Sequence, residues 1–132
     1  MNSITITLRM PSMAVSQNAR TGNSKAAALH KARAVKAHRE RAKLLLMAIL
    51  NRPPFPITSP PLGYSLAFYY RTTMFRDEGN AEGSCKAYID GIADALRMND
   101  RHFRKMQLTT QQKDANQPPR VEITLYFNTE KN

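Results

Sequence analysis

Five of the eight prolines lie between residues 51 and 61 (NRPPFPITSPP), and they limit how the flanking chain can fold. Proline fixes its φ angle and has no amide hydrogen, so a helix or a central strand does not continue through such a segment. We predict an extended connector over residues 51–61, with a separate element on each side. Because the sequence shows no repeat and no domain boundary, we expect one domain over residues 1–132.

Hydrophobic periodicity assigns the elements on either side of this connector. Alternating apolar residues predict strands at 3–9, 63–73, 103–110 and 121–127. Apolar residues at helical spacing predict a long helix at 25–50, capped by Ser24 and preceded by a polar loop at 11–24, and a second helix at 81–97. The order β-α-β-α-β-β indicates an α/β (α+β) fold with one mixed sheet of about four strands and two main helices.

The same periodicity predicts which side chains form the core. Tyr64 and Tyr69 are expected to pack in the sheet rather than to stack on bases, because aromatic residues are favoured in strands. Cys85 is expected to be a small core residue and not a nucleophile. The residues predicted to share one face of the long helix are Val35, Ala42, Leu45, Leu46 and Ile49. The residues predicted to be buried on the second helix are Cys85, Tyr88, Ile89, Ile92 and Leu96.

The charge of the chain favours a polyanionic partner. The formal net charge is +10, and residues 1–50 contain nine Lys and Arg residues against the single acid Glu40. Phosphates attract such a surface, and no basic helix also carries the exposed aromatic face expected of a membrane-binding segment. A single cysteine excludes an internal disulfide and a cysteine-based zinc site. With no signal peptide and no long apolar run, we expect a soluble, cytoplasmic protein that binds nucleic acid.

The segment at 76–100 (RDEGNAEGSCKAYIDGIADALRMND) holds six of the ten acids, and it allows two interpretations. Glu82, Lys86 and Asp90 follow one another at i, i+4, so an ordinary ladder of surface ion pairs explains them at about 0.2–0.5 kcal/mol each. That ladder leaves Asp77, Glu78 and Asp100 unexplained, since they lie at predicted strand ends. Carboxylates that converge there would bind Mg²⁺ and a substrate phosphate.

This segment resembles the RusA-type Holliday junction resolvases. That family carries an Asp-x-Asp-Asn turn, a lysine up to six residues later, an Asp four residues beyond the lysine, and a pair of Asp residues before the next strand. The chain has RDEGN at 76–80, KAYIDG at 86–91 and NDRHF at 99–103. Its opening segment, ITLRMPSMAVSQNAR, is similar to the first strand and loop of the family. Two positions depart from the pattern: Gly79 stands where the family has its second Asp, and Asn99 replaces the first member of the terminal pair.

The resemblance implies a homodimeric, Mg²⁺-dependent endonuclease (Mn²⁺ being a possible substitute) that cleaves four-way DNA junctions in recombination and repair, in the nucleoid of a bacterial or phage-infected cell. By position, Lys86, Asp77, Asp90 and Asp100 correspond to catalytic residues; Asp77, Asp90 and Asp100 are also the expected metal ligands, with Glu78 as a substitute ligand. The expected DNA-binding residues are Asn18, Arg20, Lys25, Arg33, Lys36, Arg39, Lys43, Arg76, Asn80 and Arg101.

Two other hypotheses stay open at this point. Because Gly79 removes one carboxylate, the protein could bind junctions without cleaving them. Alternatively, it could be a basic RNA- or ribosome-associated module without a metal site, whose acids only form helix ion pairs.

Overall fold

The computed structural model describes residues 2–12, 15, 24–51, 61–99 and 103–127. Within these residues the chain forms one mixed α+β layer structure, a five-stranded sheet with helices packed on it. The elements in chain order are β1 (Asn2–Arg9), α1 (Lys25–Leu50), β2 (Gly63–Tyr70), α2 (Glu78–Ser84), α3 (Lys86–Leu96), β3 (Arg104–Lys105), β4 (Thr110–Lys113) and β5 (Arg120–Phe127). Most of the predicted loop at 11–24 and of the connector at 51–61 lies outside the described residues.

The sheet is built around β5 and β2. β5 pairs antiparallel with β1 on one side and with β2 on the other. β2 in turn pairs in parallel with the short strands β3 and β4, which follow one another along its free edge. The alternation in β1 and β5 places Ile4 opposite Leu125 and Ile6 opposite Ile123, so the apolar residues of both strands face the helices together.

The prediction of about four strands was wrong, because the sheet has five. Of the strand predicted at 103–110, only Arg104 and Lys105 form β3, and β4 runs from Thr110 to Lys113, almost entirely beyond the predicted strand. Gly63 and Tyr64 of β2 pair with Arg104 and Lys105, and pairing resumes only at Ala67 with Thr110. Four residues, 106–109, therefore lie opposite only two residues of β2. A continuous ladder would require equal numbers on the two strands. The extra residues leave the plane of the sheet. The predicted strand at 63–73 also ends earlier, at Tyr70.

The predicted helix at 81–97 begins three residues earlier and is interrupted. Asp77 caps α2, and Cys85 ends α2 and starts α3 with its side chain buried in the core. α3 ends at Arg97, which takes the left-handed conformation at φ 55°. At the junction the amide hydrogen of Cys85 is accepted by the carbonyl oxygen of Glu82 at 3.0 Å, a tighter turn than that of the α-helix.

The long helix α1 is confirmed as predicted, with the Oγ of Ser24 accepting the amide hydrogen of Ala27 at 3.0 Å. Its buried face is narrower than predicted. Ala42 and Leu46 are fully buried, whereas Val35 is only half-buried and Leu45 is 38% exposed. α1 meets the rest of the described structure mainly along α3, and that contact covers one stripe of its surface.

Candidate functional site

Lys86, the first residue of α3, lies between two clefts. The first is about 360 Å³ in volume, and we call it the Tyr64 cleft; the second is about 260 Å³, and we call it the Asp90 cleft. Besides Lys86, the Tyr64 cleft is lined by Tyr64, Leu66, Gly79, Glu82, Gly83, Ile89 and Phe103. The Asp90 cleft is lined by Arg39, Asp90, Ala93, Asp94, Met98 and Asn99. The positions from 79 to 99 that carry the family resemblance thus meet around one lysine.

Lys86 and Asp90 form the ion pair that their spacing predicts. The Nζ of Lys86 donates to the Oδ1 of Asp90 at 2.8 Å, one turn further along α3. The Lys86 side chain is 47% exposed and that of Asp90 is 20% exposed. An exposed pair of this kind stabilises the helix only weakly, and its geometry is compatible with both the structural and the functional interpretation.

Glu82 does not continue the predicted ladder toward Lys86. Its Oε2 accepts hydrogen bonds from the Nζ of Lys105 at 2.7 Å and from the Oγ1 of Thr109 at 2.5 Å. The pKa of Glu82 is lowered: burial raises it, but the hydrogen bonds and the charge of Lys105 outweigh that effect. Glu82 thus connects α2 to Lys105 of β3 and to Thr109, which directly precedes β4.

Asp77 has a defined structural role at the start of α2. Its Oδ2 accepts the amide hydrogen of Asn80 at 3.2 Å, and its carbonyl oxygen accepts that of Ala81 at 2.8 Å. Glu78 follows in the first turn and is exposed. A Cβ atom added at Gly79 would lie 3.3 Å from the Oδ2 of Asp77. A carboxylate at position 79 would therefore stand beside that of Asp77.

Arg76, which we expected to bind DNA, points into the protein. Its Nη2 donates to the carbonyl oxygen of Pro11 at 3.1 Å, and its own carbonyl oxygen accepts from the Nε2 of Gln111 at 3.1 Å. Its Nη1 is buried and meets no hydrogen-bond partner within the described part of the chain. Arg76 thus joins the end of β1 to the segment that carries Asp77, which is a structural role.

Arg39 is engaged in a similar way between α1 and α3. Its Nε and Nη2 donate to the two carboxylate oxygens of Asp94 at 2.6 and 2.8 Å. The guanidinium hydrogen bond is the main cause of the lowered pKa of Asp94. Lys25, Arg33 and Lys36 are exposed on α1, and Lys43 is half-buried. The expected DNA-binding residues Asn18, Arg20 and Arg101 lie outside the described residues, as does Asp100.

Oxygen donors for a cation are present on both sides of Lys86. Asp77 and Glu78 begin α2, while Asp90 and Asn99 share the Asp90 cleft. Within residues 2–12, 15, 24–51, 61–99 and 103–127, no three His, Cys, Asp or Glu side chains come close enough together to hold a metal ion. Asp100 is not among these residues, so the full expected ligand set is only partly described.

Sequence reasoning did not identify Tyr64, Gly83 and Asp94 as residues of the clefts. The expected packing of Tyr64 is confirmed by its contact with the core, and its half-buried ring also forms a wall of the Tyr64 cleft. Gly83 has no side chain, so no sequence motif marks it as part of a site. Asp94 lies one turn after Asp90 on α3, and only the approach of Arg39 from α1 reveals its role. A spacing of i, i+4 from Asp90 was the available signal for Asp94.

Comparison with known proteins gives no relative. No protein-family model matches the chain, and no curated protein matches it either. None of the helices in the described part of the chain has the length and apolar composition needed to cross a lipid bilayer.

Proposed function

We propose that this protein is a structure-selective, Mg²⁺-dependent endonuclease of the RusA type that acts on four-way DNA junctions. One observation supports the proposal above the others: Lys86 separates two clefts whose walls contain Gly79 and Glu82 on one side and Asp90 and Asn99 on the other. These positions span 21 residues of sequence, from Gly79 to Asn99, and they include the lysine and the acid one turn later that the resemblance identifies as catalytic. A surface ladder alone would not require this convergence.

The donor set suits a hard cation. Mg²⁺ is commonly bound by one or two carboxylates, with water and substrate phosphate completing its coordination. Asp77 and Asp100, with Asp90 and Glu78 nearby in sequence, are the residues that would hold it, and Mn²⁺ could replace it. When bound, the cation would activate water and stabilise the leaving oxygen of a phosphodiester.

Besides holding the cation, the residues of this chain would bind and orient the DNA. Lys86 supplies an exposed positive charge for a non-bridging phosphate oxygen, and Asp90 holds the ammonium group in place at 2.8 Å. The exposed basic residues of α1, including Lys25, Arg33 and Lys36, would contact the DNA backbone without reading its sequence. A homodimer with two-fold symmetry would present two such sites to a junction of matching symmetry.

A second function, junction binding without cleavage, is favoured by Gly79. This position lies beside Asp77, where a second carboxylate would complete a pair, and it carries no side chain. The basic surface and the fold would remain, so binding would be retained while hydrolysis would be lost.

The two functions separate in a cleavage assay on a synthetic four-way junction with Mg²⁺ or Mn²⁺. We expect symmetric nicks that EDTA abolishes, and Lys86→Ala should lower the rate by roughly 100-fold or more. Lys113→Ala, which removes the same charge from the exposed surface of β4, is the matched control and should retain activity. If the wild-type protein binds the junction and leaves it intact with both metals, the endonuclease proposal fails. A preference for RNA over junction DNA in direct competition would contradict both functions.

A further inference from the structure

We propose that the Tyr64 cleft holds an unstacked base of the bound DNA strand, with Tyr64 as the stacking surface. The choice of DNA as the ligand rests on the proposed function. Three features of the cleft support it: an aromatic wall, open space in front of α2, and the positive charge of Lys86 in its lining.

The aromatic wall is fixed in position. The rings of Tyr64 and Phe103 lie with their centroids 4.9 Å apart at an interplanar angle of 50°. Phe103 is only 5% exposed and supports the half-buried ring of Tyr64, so Tyr64 is the ring that a ligand could reach. Leu66 and Ile89 add apolar surface. A volume of about 360 Å³ lies at the small end of ligand sites and suits one planar ring system. Every base has a π face, so stacking accepts any of them.

Open space lies in front of α2. Gly79 and Gly83 are spaced i, i+4 on this helix, and both line the cleft. Among the described residues, a Cβ atom added at Gly83 would meet nothing within 4 Å, and one at Gly79 would meet the Oδ2 of Asp77 alone. Neither glycine has the positive φ that would require it. Glycine destabilises a helix relative to alanine. Since neither backbone geometry nor packing explains Gly83, we infer that it keeps the cleft accessible to a ligand.

The positive charge in the cleft lining suits the phosphate group of a nucleotide. Lys86 lines the cleft. Glu82 is the acid among the described residues of the lining, and its Oε2 already pairs with the Nζ of Lys105 at 2.7 Å. Lys86 also lines the Asp90 cleft. A base in the Tyr64 cleft would therefore bring its phosphate to the same lysine that we propose for the cleavage site.

The test measures how much of the binding comes from bases. Fluorescence anisotropy is used to compare a labelled single-stranded oligodeoxynucleotide with an oligomer of the same length in which every base is absent. The backbone charge is equal in both, so electrostatic binding cancels. We expect the wild-type protein to bind the base-bearing strand roughly tenfold more tightly.

Four variants test whether the preference for the base-bearing strand depends on the Tyr64 cleft. Tyr64→Leu removes the ring, and Gly83→Leu fills the cleft at a position where the fold leaves room; both should reduce the preference to about twofold or less. Tyr64→Phe should keep it. Tyr69→Leu is the matched control, because the Tyr69 ring lies under the guanidinium of Arg120, 4.2 Å from its centroid, and does not line the cleft. If Tyr64→Leu does not fold, Gly83→Leu decides.

The inference is overturned if the wild-type protein binds both strands equally, or if Gly83→Leu keeps the full preference. It is also overturned if Tyr69→Leu loses as much as Tyr64→Leu. The junction assay is scored separately. A protein that prefers base-bearing strands but cleaves no junction would contradict the endonuclease and support the cleft; one that cleaves junctions without that preference would contradict the cleft alone.

Discussion

Gly91 of α3 lies directly against the main-chain carbonyl of Arg39 in α1. A Cβ atom built on Gly91 would come within 2.0 Å of that oxygen and 3.2 Å of the Cβ of Ala42. The side chain of Arg39 then reaches Asp94, one turn further along α3. This crossing point fixes α3 against α1 and thereby sets the position of Lys86 and Asp90.

Gly91→Ala should therefore destabilise the protein. The added methyl group must push α1 and α3 apart, at a cost of about 1–3 kcal/mol or more. Gly83→Ala is the matched control, since its added methyl group enters open space. It should raise the free energy of unfolding by about 0.5–1 kcal/mol through helix propensity. Urea denaturation measures both changes, and equal effects of the two substitutions would contradict the close approach of the helices.

Gly79→Asp should create or strengthen a cation site. The new carboxylate would stand beside Asp77, so repulsion should lower the melting temperature in EDTA. Mg²⁺ should reverse the loss and stabilise the variant by about 2.7 kcal/mol at one hundred times the dissociation constant. Calorimetry with and without Mg²⁺ measures this independently of activity. The junction assay should show faster cleavage if wild-type activity is weak. Gly79→Asn, which adds similar bulk without the charge, is the control, and an equal response to Mg²⁺ would refute the missing-ligand argument.

His38 should make stability depend on pH. Its Nε2 accepts the amide hydrogen of Ser12 at 3.1 Å, so its Nδ1 carries the proton donated to the carbonyl of Ala34 at 2.9 Å, and its ring stacks on Tyr88. Burial lowers the pKa of His38, the Ala34 hydrogen bond opposes this, and the charge of Arg41 adds to the lowering.

Because the folded chain binds this proton less readily than the unfolded chain, the stabilisation is complete above the unfolded pKa of about 6.5. It is lost as the pH falls through the lower, folded value. Melting temperatures between about pH 7.5 and about pH 5.5 should fall more for the wild-type protein than for His38→Gln, which does not titrate. Parallel curves would show that protonation of His38 does not disturb the fold.

Cys85 should be inert in the folded protein. It is 0% exposed, and burial raises the pKa of its thiol to about 12 against the opposing charge of Arg76. The thiolate that reacts with disulfide reagents is therefore scarce at neutral pH. Ellman's reagent should label the native protein slowly and the protein in guanidinium rapidly. Rapid labelling under native conditions would mean that the break between α2 and α3 opens easily.

Local patterns were enough to predict the regular elements. Ser24 followed by apolar residues at helical spacing predicted α1 to the residue, and the alternation from Val121 to Phe127 predicted most of β5. They failed where a distant contact decides the local structure. Where β3 ends and β4 begins depends on pairing with β2, about 40 residues earlier in the chain. The exposure of Leu45 depends on how little of the surface of α1 the other elements cover.

For the site, the sequence by itself determined the chemistry: the acids of residues 76–100, the Lys86–Asp90 pair at i, i+4, and the gap at Gly79. Only the tertiary structure decided which side chains contact one another. Glu82 of α2 pairs with Lys105 of β3, and Arg39 of α1 pairs with Asp94 of α3. Tyr64 and Phe103 together form the aromatic wall of the Tyr64 cleft. The physical reason is the separation of the residues along the chain. Sequence spacing determines contacts within one helical turn, whereas ion pairs between elements depend on how the helices and strands pack.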